Sequence, residues 1–251
     1  MNWLNSENYT QMDKYTSDFE YFWHLIETNN NFVFARYADG EVMLMNGQSV
    51  SEDTQAFRVD RWHAPNQLTK VGKELLETLN HDEPEWYYAI SAVSDNINDY
   101  NFLKERIKQH PRTLTFVNLW INANYQKTKE KLAGLKRDVV LICNTDAANK
   151  SFPFPVKMIS TFPDDCINFW ETHSELYIQY LIETYGKMEN QLFFISCGPV
   201  SEIIIHKLYQ NNPNNTYIDM GSSLDEYIHG YKTRPYMDPN SRYAKEKSTF
   251  E

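Results

Sequence analysis

Cysteine is scarce in this 251-residue sequence, and the three cysteines lie far apart. Cys143, Cys166 and Cys197 form no CxxC pair, which excludes a disulfide framework and gives no zinc signature. Each lies in or beside an apolar stretch, as is typical of small buried side chains. The seven histidines form no HxH or HExxH pattern, so the sequence does not indicate a zinc enzyme.

Basic clusters and long apolar runs are missing as well. The formal net charge is −10, and binding to nucleic acid is disfavoured because phosphate neutralisation needs clustered Lys and Arg. No segment approaches the ~18 consecutive apolar residues of a transmembrane helix, and the first residues lack a signal-peptide pattern. We therefore expect a cytoplasmic protein without a transmembrane segment. Peripheral contact with a membrane stays open, and the oligomeric state is not specified.

Short apolar runs alternate with amphipathic stretches along the chain, which predicts alternating strands and helices. Strands are predicted at residues 32–36, 86–93, 113–117, 139–143, 156–159, 192–196 and 216–220. Helices are predicted at residues 17–27, 67–79, 99–109, 122–132, 165–185 and 201–209. Several strands are apolar nearly throughout, as in parallel sheets covered on both faces. The predicted fold class is α/β: a Rossmann-like, doubly wound, mostly parallel sheet with helices on both faces. Residues 1–230 are predicted to form a single domain, and residues 231–251 a C-terminal arm or loop.

A first motif follows the first predicted strand, which ends at Arg36. Asp39 and Glu41 are separated only by Gly40, and we expect them in a loop where both carboxylates can point at one centre. Gly40 lets the backbone turn tightly. Oxygen ligands of this kind suit a hard divalent cation such as Mn²⁺ or Mg²⁺. The alternative is a plain Asp-Gly turn with a solvated Glu41. Arg36 could pair with the carboxylates or with a phosphate, and its alternative role is a structural salt bridge.

A second motif lies near the other end of the sequence. A strand ending at Ser196 is followed by Gly198-Pro199 and a helix, and the next strand ends in Asp219 and Gly221. The turn lacks GxGxxG, so the usual dinucleotide fingerprint is not supported. The free N–H groups of the helix start could still bind an anion, and Asp219 could accept a ribose or sugar hydroxyl.

Together, in this order and at this spacing, the two motifs resemble the GT-D class of glycosyltransferases. The family's Arg-Phe-Gly-Asp-Gly-Glu-like stretch corresponds to residues 36–41, and its strand–Gly-Pro–helix–strand unit ending in Asp-x-Gly corresponds to residues 192–221. The resemblance covers roughly residues 30 to 230 and is closest at its two ends. Ala38 stands where the family usually has Gly. Ser222 stands where a His is common, so that histidine's role is not carried over.

The resemblance implies a divalent metal and a nucleotide-sugar donor, often a UDP-sugar, with a glycan or glycoconjugate hydroxyl as acceptor. The family's Asp-x-Glu motif maps onto Asp39 and Glu41, which are the predicted metal ligands and catalytic residues. Glu41 is the first candidate for the general base, ahead of Asp225 and Glu226. The residues predicted to bind the nucleotide-sugar are Arg36, Gly40, Asn118, Asn122, Gly198, Pro199, Asp219, Gly221 and Arg234.

Several alternatives stay open at the level of sequence. Asn118 and Asn122 could reach the donor or could cap structure locally, and residues 144–147 could touch the base or ribose. A glycoside hydrolase needs two carboxyls on opposite sides of a sugar bond, which Asp39 and Glu41 are too close in sequence to flank comfortably. A non-catalytic nucleotide-sugar-binding module would bind without turnover. A Rossmann methyltransferase is disfavoured because no Gly-rich loop follows the first strand.

Overall fold

Seven strands form one sheet in a computed structural model that describes residues 13–50, 63–107 and 113–250. The strands are β1 (Val33–Tyr37), β2 (Trp86–Ile90), β3 (Leu114–Phe116), β4 (Val139–Asn144), β5 (Val156–Phe162), β6 (Leu192–Ser196) and β7 (Thr216–Asp219). Their order is β3-β2-β1-β7-β6-β4-β5, and every ladder between these described strands is parallel. The α/β fold class predicted from the sequence is confirmed.

Eight α-helices lie within the same described ranges. They are α1 (Lys14–Glu27), α2 (Asp39–Met45), α3 (Lys70–Thr78), α4 (Ile97–Arg106), α5 (Tyr125–Gly134), α6 (Cys166–Tyr185), α7 (Ser201–Asn211) and α8 (Asp225–His229). All six helices expected from the sequence are present with shifted ends, whereas α2 and α8 were not predicted. None of these described helices combines the length and apolar composition needed to cross a bilayer.

Helix α2 corrects the prediction that Asp39 and Glu41 lie in a loop. Asp39 is the first residue of the helix, and Ala38 is its N-cap. The Glu41 carboxylate accepts a hydrogen bond from the Ala38 N–H at 2.7 Å, which satisfies a backbone donor that the helix start would leave free. Val42 and Leu44 are buried beneath the helix. The Asp-Gly-Glu triplet therefore begins a helix because the glutamate folds back and caps it.

The two faces of the sheet carry separate hydrophobic clusters, as the alternation of side chains along a strand requires. On β1, Val33 and Ala35 belong to a cluster that includes residues of α2, α3, α4, α6 and α7. Phe34 points to the other face, into a cluster with residues of α1, α5 and α8. Because each fully buried side chain of this size contributes about 1.5–3 kcal/mol, both faces contribute strongly to holding the sheet.

The winding of the sheet reverses between β1 and β7. From β1 the chain moves outward through β2 to β3, crosses to β4 and β5 on the other side, and returns through β6 to β7. Strands β1 and β7 are neighbours, with Val33 opposite Tyr217. Ligands of open parallel sheets bind beyond the carboxyl ends of the strands at such a switch point. Arg36 of β1 and Asp219 of β7 lie at this place.

The segment after α8 runs back across the carboxyl ends of β2 and β3. The Ala123 N–H donates to the Glu246 carbonyl at 3.1 Å, and the Ser94 N–H donates to the Thr249 carbonyl at 3.2 Å. The ring of Phe250 stacks on Phe116 with centroids 4.4 Å apart. These contacts hold the segment against the sheet. The division into a domain at 1–230 and an arm at 231–251 stays a prediction.

A buried histidine pair lies before β2, at the opposite end of the sheet. His81 Nε2 and His206 Nδ1 are 2.7 Å apart, and His81 Nδ1 is 2.9 Å from Glu83 Oε2. The His81 ring stacks on Trp86 with centroids 3.5 Å apart. Burial, followed by the nearby His81, lowers the pKa of His206 to about 4. The fold therefore favours the neutral form of His206, because a charged imidazolium would lose its hydration at this buried position.

We expect this pair to weaken the fold in acid. Because the pKa of His206 is lower in the folded protein than its ordinary value of about 6.5, the unfolded chain binds the extra proton. The unfolding free energy should therefore fall as pH decreases from about 6.5 to about 4. His206→Gln keeps a hydrogen-bonding group but removes this titration, so its urea midpoint should fall less over that range. His173→Gln, at an exposed position, is the control. Equal pH dependence in wild type and His206→Gln would contradict the assignment.

Candidate functional site

A cavity of about 790 Å³ opens at the carboxyl ends of the strands. Its size lies within the range of about 300–1,000 Å³ that is usual for small-molecule sites. Segments following all seven strands contribute to its wall, together with residues of the C-terminal segment. All eleven residues predicted as metal ligands, as first choice for catalysis or as nucleotide-sugar contacts line it: Arg36, Asp39, Gly40, Glu41, Asn118, Asn122, Gly198, Pro199, Asp219, Gly221 and Arg234. The structure thus brings the predicted residues together, and their ligand roles stay predictions.

Arg36 lies at the base of this cavity and joins three elements. Its Nε donates to Asp219 Oδ2 at 3.1 Å, and its Nη1 donates to the Val117 carbonyl at 3.2 Å. Burial by itself would lower the pKa of the Arg36 guanidinium, but the carboxylates of Asp219, Glu41 and Glu202 more than offset this effect and raise it. Arg36 is thus a permanent buried cation that ties β1 to the end of β7.

Three acidic side chains surround this cation, and we call the four residues the Arg36 cluster: Arg36, Glu41, Glu202 and Asp219. Glu202 of α7 is completely buried, and its Oε1 accepts from the Arg36 backbone N–H at 3.2 Å. Its Oε2 has no donor partner within 3.5 Å among the described residues, and the Glu202 side chain interacts with the carboxylate of Asp219. Burial, followed by the charges of Asp219 and Glu41, raises the pKa of Glu202 well above its usual range. One guanidinium does not balance three carboxylates, and the raised pKa favours the protonated form of Glu202.

Glu41 shares this environment. Burial raises its pKa to about 7, against the opposing effect of Arg36 and with a further increase from Asp219. Its carboxylate already accepts the hydrogen bond from the Ala38 N–H. Asp39, by contrast, is exposed at the cavity wall. The two motif carboxylates therefore lie in different surroundings: one is committed to the helix start, and the other is available to a ligand.

A divalent metal would find one suitable carboxylate here rather than a complete ligand set. Within the described ranges, no group of three or more His, Cys, Asp or Glu side chains is arranged to hold a metal ion. Asp39 provides exposed oxygen ligands of the kind that Mn²⁺ and Mg²⁺ accept, and these ions often keep substrate phosphates and water in their remaining positions. The residues present thus fit a metal that is held jointly by Asp39 and a phosphate-bearing ligand. As placed, Glu41 would have to leave its backbone partner to join it.

The Asp-x-Gly motif positions the arginine. Asp219 Oδ1 accepts from the Gly221 N–H at 2.8 Å, while Asp219 Oδ2 accepts from Arg36. Gly221 has φ +47°, in the left-handed region, and a Cβ added there would lie 2.5–2.6 Å from the Arg36 guanidinium. The glycine is therefore required twice, for its backbone conformation and for the space that the guanidinium occupies. The two sequence motifs meet in this contact.

The remaining predicted residues form the walls. Gly198 has φ +59° and precedes α7, and the Cys197 N–H donates to the Ser201 Oγ at 2.9 Å. Asn118 Nδ2 reaches Ser248 Oγ at 3.5 Å. The helix predicted to begin at Asn122 begins at Tyr125 instead, because Asn122 has φ 51° and belongs to a 3₁₀ turn. Asparagine tolerates this left-handed conformation better than most residues.

The part of the cavity wall after β2 carries two acidic residues that were missed in the sequence. Asp95 and Asp99 follow β2 and line the cavity, and Asp99 lies near enough to Asp39 to interact with its charge. Burial raises the pKa of Asp95, and burial followed by the charge of Asp39 raises the pKa of Asp99. The only available signal was their position after a predicted strand. They make this side of the cavity acidic, so an anionic ligand there needs a cation.

A histidine–aspartate pair on the other side of the cavity was also missed. His229, the last residue of α8, has its Nδ1 2.9 Å from Asp146 Oδ2, and the ring lines the cavity. The stretch containing Asp146 was left open from the sequence as a contact to the base or ribose, but nothing in the sequence pairs it with His229. Glu226, a candidate base, points to Lys129 at 2.7 Å and lies outside the cavity lining. Asp225 lines the cavity and accepts from Thr233 Oγ1 at 2.6 Å.

Two solved structures share this fold. One is described as a selenomethionine-substituted structure of domain of unknown function 1792 (DUF1792); it aligns with a TM-score of 0.57 at 19% sequence identity, covering 88% of this chain and 83% of that chain. The other is described as showing that the highly conserved domain 1792 has a distinct glycosyltransferase fold; its TM-score is 0.56 at 19% identity, with coverage of 88% and 83%. The chain therefore has this glycosyltransferase fold. No protein-family model and no curated protein matches the sequence.

Replacing Gly221 should disturb the Arg36 cluster. Gly221→Ala places a Cβ against the guanidinium in a left-handed backbone conformation, and we expect the unfolding free energy to drop by about 1–3 kcal/mol in urea denaturation. Gly134→Ala is the matched control, because a Cβ at this helical position meets no atom within 4 Å. It should be neutral or stabilising by up to about 1 kcal/mol. Equal effects of the two substitutions would contradict this role of Gly221.

Glu41 should make the fold less stable as pH rises. Its pKa is raised in the folded protein from 4.5 to about 7, so its stabilising effect is complete below about 4.5 and is lost as pH rises through about 7. Glu41→Gln removes this titration, and the variant should gain stability over wild type by on the order of 1–3 kcal/mol between pH 4.5 and 8. The measurement is urea unfolding across that range. The exposed Glu175→Gln should run parallel to wild type, and a parallel Glu41→Gln would contradict the raised pKa.

Proposed function

We propose that this protein is a metal-dependent glycosyltransferase that moves a sugar from a nucleotide-sugar, foremost a UDP-sugar, to a hydroxyl of a glycan or glycoconjugate. The observation that carries the proposal is the Arg36 cluster, which joins both sequence motifs beneath one cavity at the switch point of the sheet. The fold supports the class of reaction, since a structure with the same fold is described as a distinct glycosyltransferase fold. The identities of the donor, the metal and the acceptor go beyond what the fold supports and are part of our proposal.

The charges around the cavity support a donor that binds together with a divalent cation. Asp39, Asp95 and Asp99 line one side, and the cation of Arg36 is already paired with Asp219. A diphosphate entering this side would meet net negative charge, which makes a divalent cation a requirement for binding. Asp39 would hold Mn²⁺ or Mg²⁺ together with the donor phosphates. When bound, the metal neutralises negative charge on the departing nucleoside diphosphate.

The protein's own groups would orient the donor. Arg36 holds a fixed guanidinium, paired with Asp219, beneath the cavity, and Arg234 lines the wall formed by the C-terminal segment. Asp219 keeps Arg36 in place, so electrostatic stabilisation of the leaving group needs no rearrangement during the reaction. Gly198 and Pro199, which lead into α7, line the part of the wall where an anion or a nucleobase edge would lie. The buried Glu41 preserves the start of α2 and thereby the position of Asp39.

Removing the Asp39 carboxylate tests the proposal. Wild type should show a higher melting temperature with UDP and Mn²⁺ than with either alone, because a ligand that binds only the folded state stabilises it. Asp39→Asn should lose the metal-dependent part of this shift and at least about 100-fold of UDP release from UDP-sugars with p-nitrophenyl glycoside acceptors. EDTA should have the same effect on wild type. Asp138→Asn, at an exposed position outside the cavity lining, should behave as wild type.

Three outcomes would speak against the proposal. A full metal-dependent shift in Asp39→Asn would remove the proposed metal position. Binding of UDP-sugar without turnover, over a broad acceptor panel, would favour a non-catalytic binding module. Cleavage of glycosides that needs no nucleotide would favour a glycoside hydrolase.

A further inference from the structure

The His229–Asp146 pair is a polar contact at the cavity wall that is separate from the Arg36 cluster. His229 ends the short helix after β7, and Asp146 lies in the 3₁₀ turn Thr145–Asn149 after β4. Strand β6 lies between these two strands in the sheet, so the contact bridges over it. The His229 side chain is 14% exposed, and its ring belongs to the cavity wall.

Asp146 is held in place by its own turn. Its backbone N–H donates to Asn144 Oδ1 at 2.8 Å, and Asn144 Nδ2 donates to Asp164. Asn144 and Asp164 also line the cavity. The turn thus fixes the backbone of Asp146, and the partly exposed carboxylate can orient the imidazole that it contacts.

The contact with Asp146 selects one form of the imidazole. A carboxylate accepts hydrogen bonds, so the neutral ring places its proton on Nδ1, at 2.9 Å from Asp146 Oδ2, and leaves the lone pair on Nε2. Nε2 makes no hydrogen bond to any residue in the described ranges. An imidazole whose far nitrogen is oriented by a carboxylate and whose near nitrogen is free has the arrangement of a general base.

We propose that His229 is the general base that deprotonates the acceptor hydroxyl, and that Asp146 is its positioning residue. This inference rests on the proposed function. The acceptor O–H bond breaks and its proton moves to Nε2, while the acceptor oxygen forms a bond to the anomeric carbon. The bond from that carbon to the phosphate oxygen breaks, and its electron pair leaves with the nucleoside diphosphate. One displacement from the face opposite the leaving group inverts the anomeric configuration.

Four other acidic residues at or near the site already have partners. Glu41 accepts the Ala38 N–H, and Asp219 is paired with Arg36. Asp225 accepts from Thr233, and Glu226 is paired with Lys129 outside the cavity lining. His229 therefore replaces Glu41 as the preferred base. The acidic wall with Asp39 follows β1 and β2 while the pair follows β4 and β7, which leaves the cavity between them for the sugar.

Other aromatic, titratable and charged groups lie near the His229 ring. Besides Asp146 on the turn after β4, the ring of Tyr231 lies with its centroid 5.9 Å away. Lys150 Nζ lies 3.2 Å from the place of a Cβ on Gly230, directly after His229. Asp225 is on the same helix. One carboxylate and one ammonium group thus lie on the opposing element.

The test compares His229→Ala, Asp146→Asn and the control His173→Ala, which changes an exposed histidine on α6. UDP release from UDP-sugars with p-nitrophenyl glycosides is followed from pH 5 to 9 in the presence of Mn²⁺. His229→Ala should lower kcat by about 10²–10⁴-fold and abolish the acidic limb of the profile, with UDP affinity unchanged. Added imidazole should restore part of the rate to His229→Ala only. Asp146→Asn should lower kcat and move the acidic limb, and His173→Ala should match wild type.

Two readouts do not depend on the rate. In ¹H–¹⁵N spectra of histidine-labelled wild type, the His229 resonances, identified by their loss in His229→Gln, should show the proton on Nδ1; Asp146→Asn should lose this preference. The NMR spectrum of the product should show the anomer opposite to that of the donor.

The outcomes separate the two proposals. If wild type never releases UDP with any acceptor, the proposed function fails and this inference fails with it. If wild type transfers sugar but His229→Ala keeps its rate and pH profile, or the product retains configuration, only the assignment of His229 is overturned. A proton on Nε2 in the wild-type spectrum would overturn it as well.

Discussion

The buried Arg36 guanidinium is the interaction on which the site depends. It joins β1 to β7, the first and last strands along the chain and neighbours in the sheet, through Asp219. It also reaches the segment after β3 through the Val117 carbonyl. One permanent cation among three acidic side chains leaves Glu202 and Glu41 with raised pKa values. Burying the charges of such a cluster costs desolvation free energy that one ion pair does not fully offset. Raised pKa values at the switch point of a sheet are typical of a functional site.

Much of the fold could be predicted from the sequence because its central strands are covered on both faces. Residues 139–143 and 192–195 are apolar throughout, and no helical periodicity competes with the strand pattern. Helix α2 was missed for the opposite reason. Its seven residues are too few to show a period, and Asp-Gly usually indicates a turn. Only the hydrogen bond from Ala38 to Glu41 explains why the chain continues as a helix.

The site could be predicted only in part, because a motif reveals neighbours along the chain and not across the sheet. Asp39, Asp219 and Gly221 follow predicted strands, and parallel strands bring their carboxyl ends together. Glu202 gave no signal, since it lies in an apolar helix whose other face is core. His229 and Asp146 are separated by 83 positions, and their contact requires the order β7-β6-β4, which no local pattern specifies. Glu202 and the His229–Asp146 pair were both missed because their contacts join segments that are distant in the sequence.

The contact between Gly221 and Arg36 has a consequence for how this fold can diverge. The glycine leaves a space, and the guanidinium fills it, so neither position can change without altering what the other requires. A lineage that exchanged the arginine for a smaller side chain would open a void beside the glycine, and one that gained a side chain at the glycine would expel the arginine. Descendants of this chain are therefore expected to keep or abandon the two residues as a unit, although 185 positions separate them along the polymer.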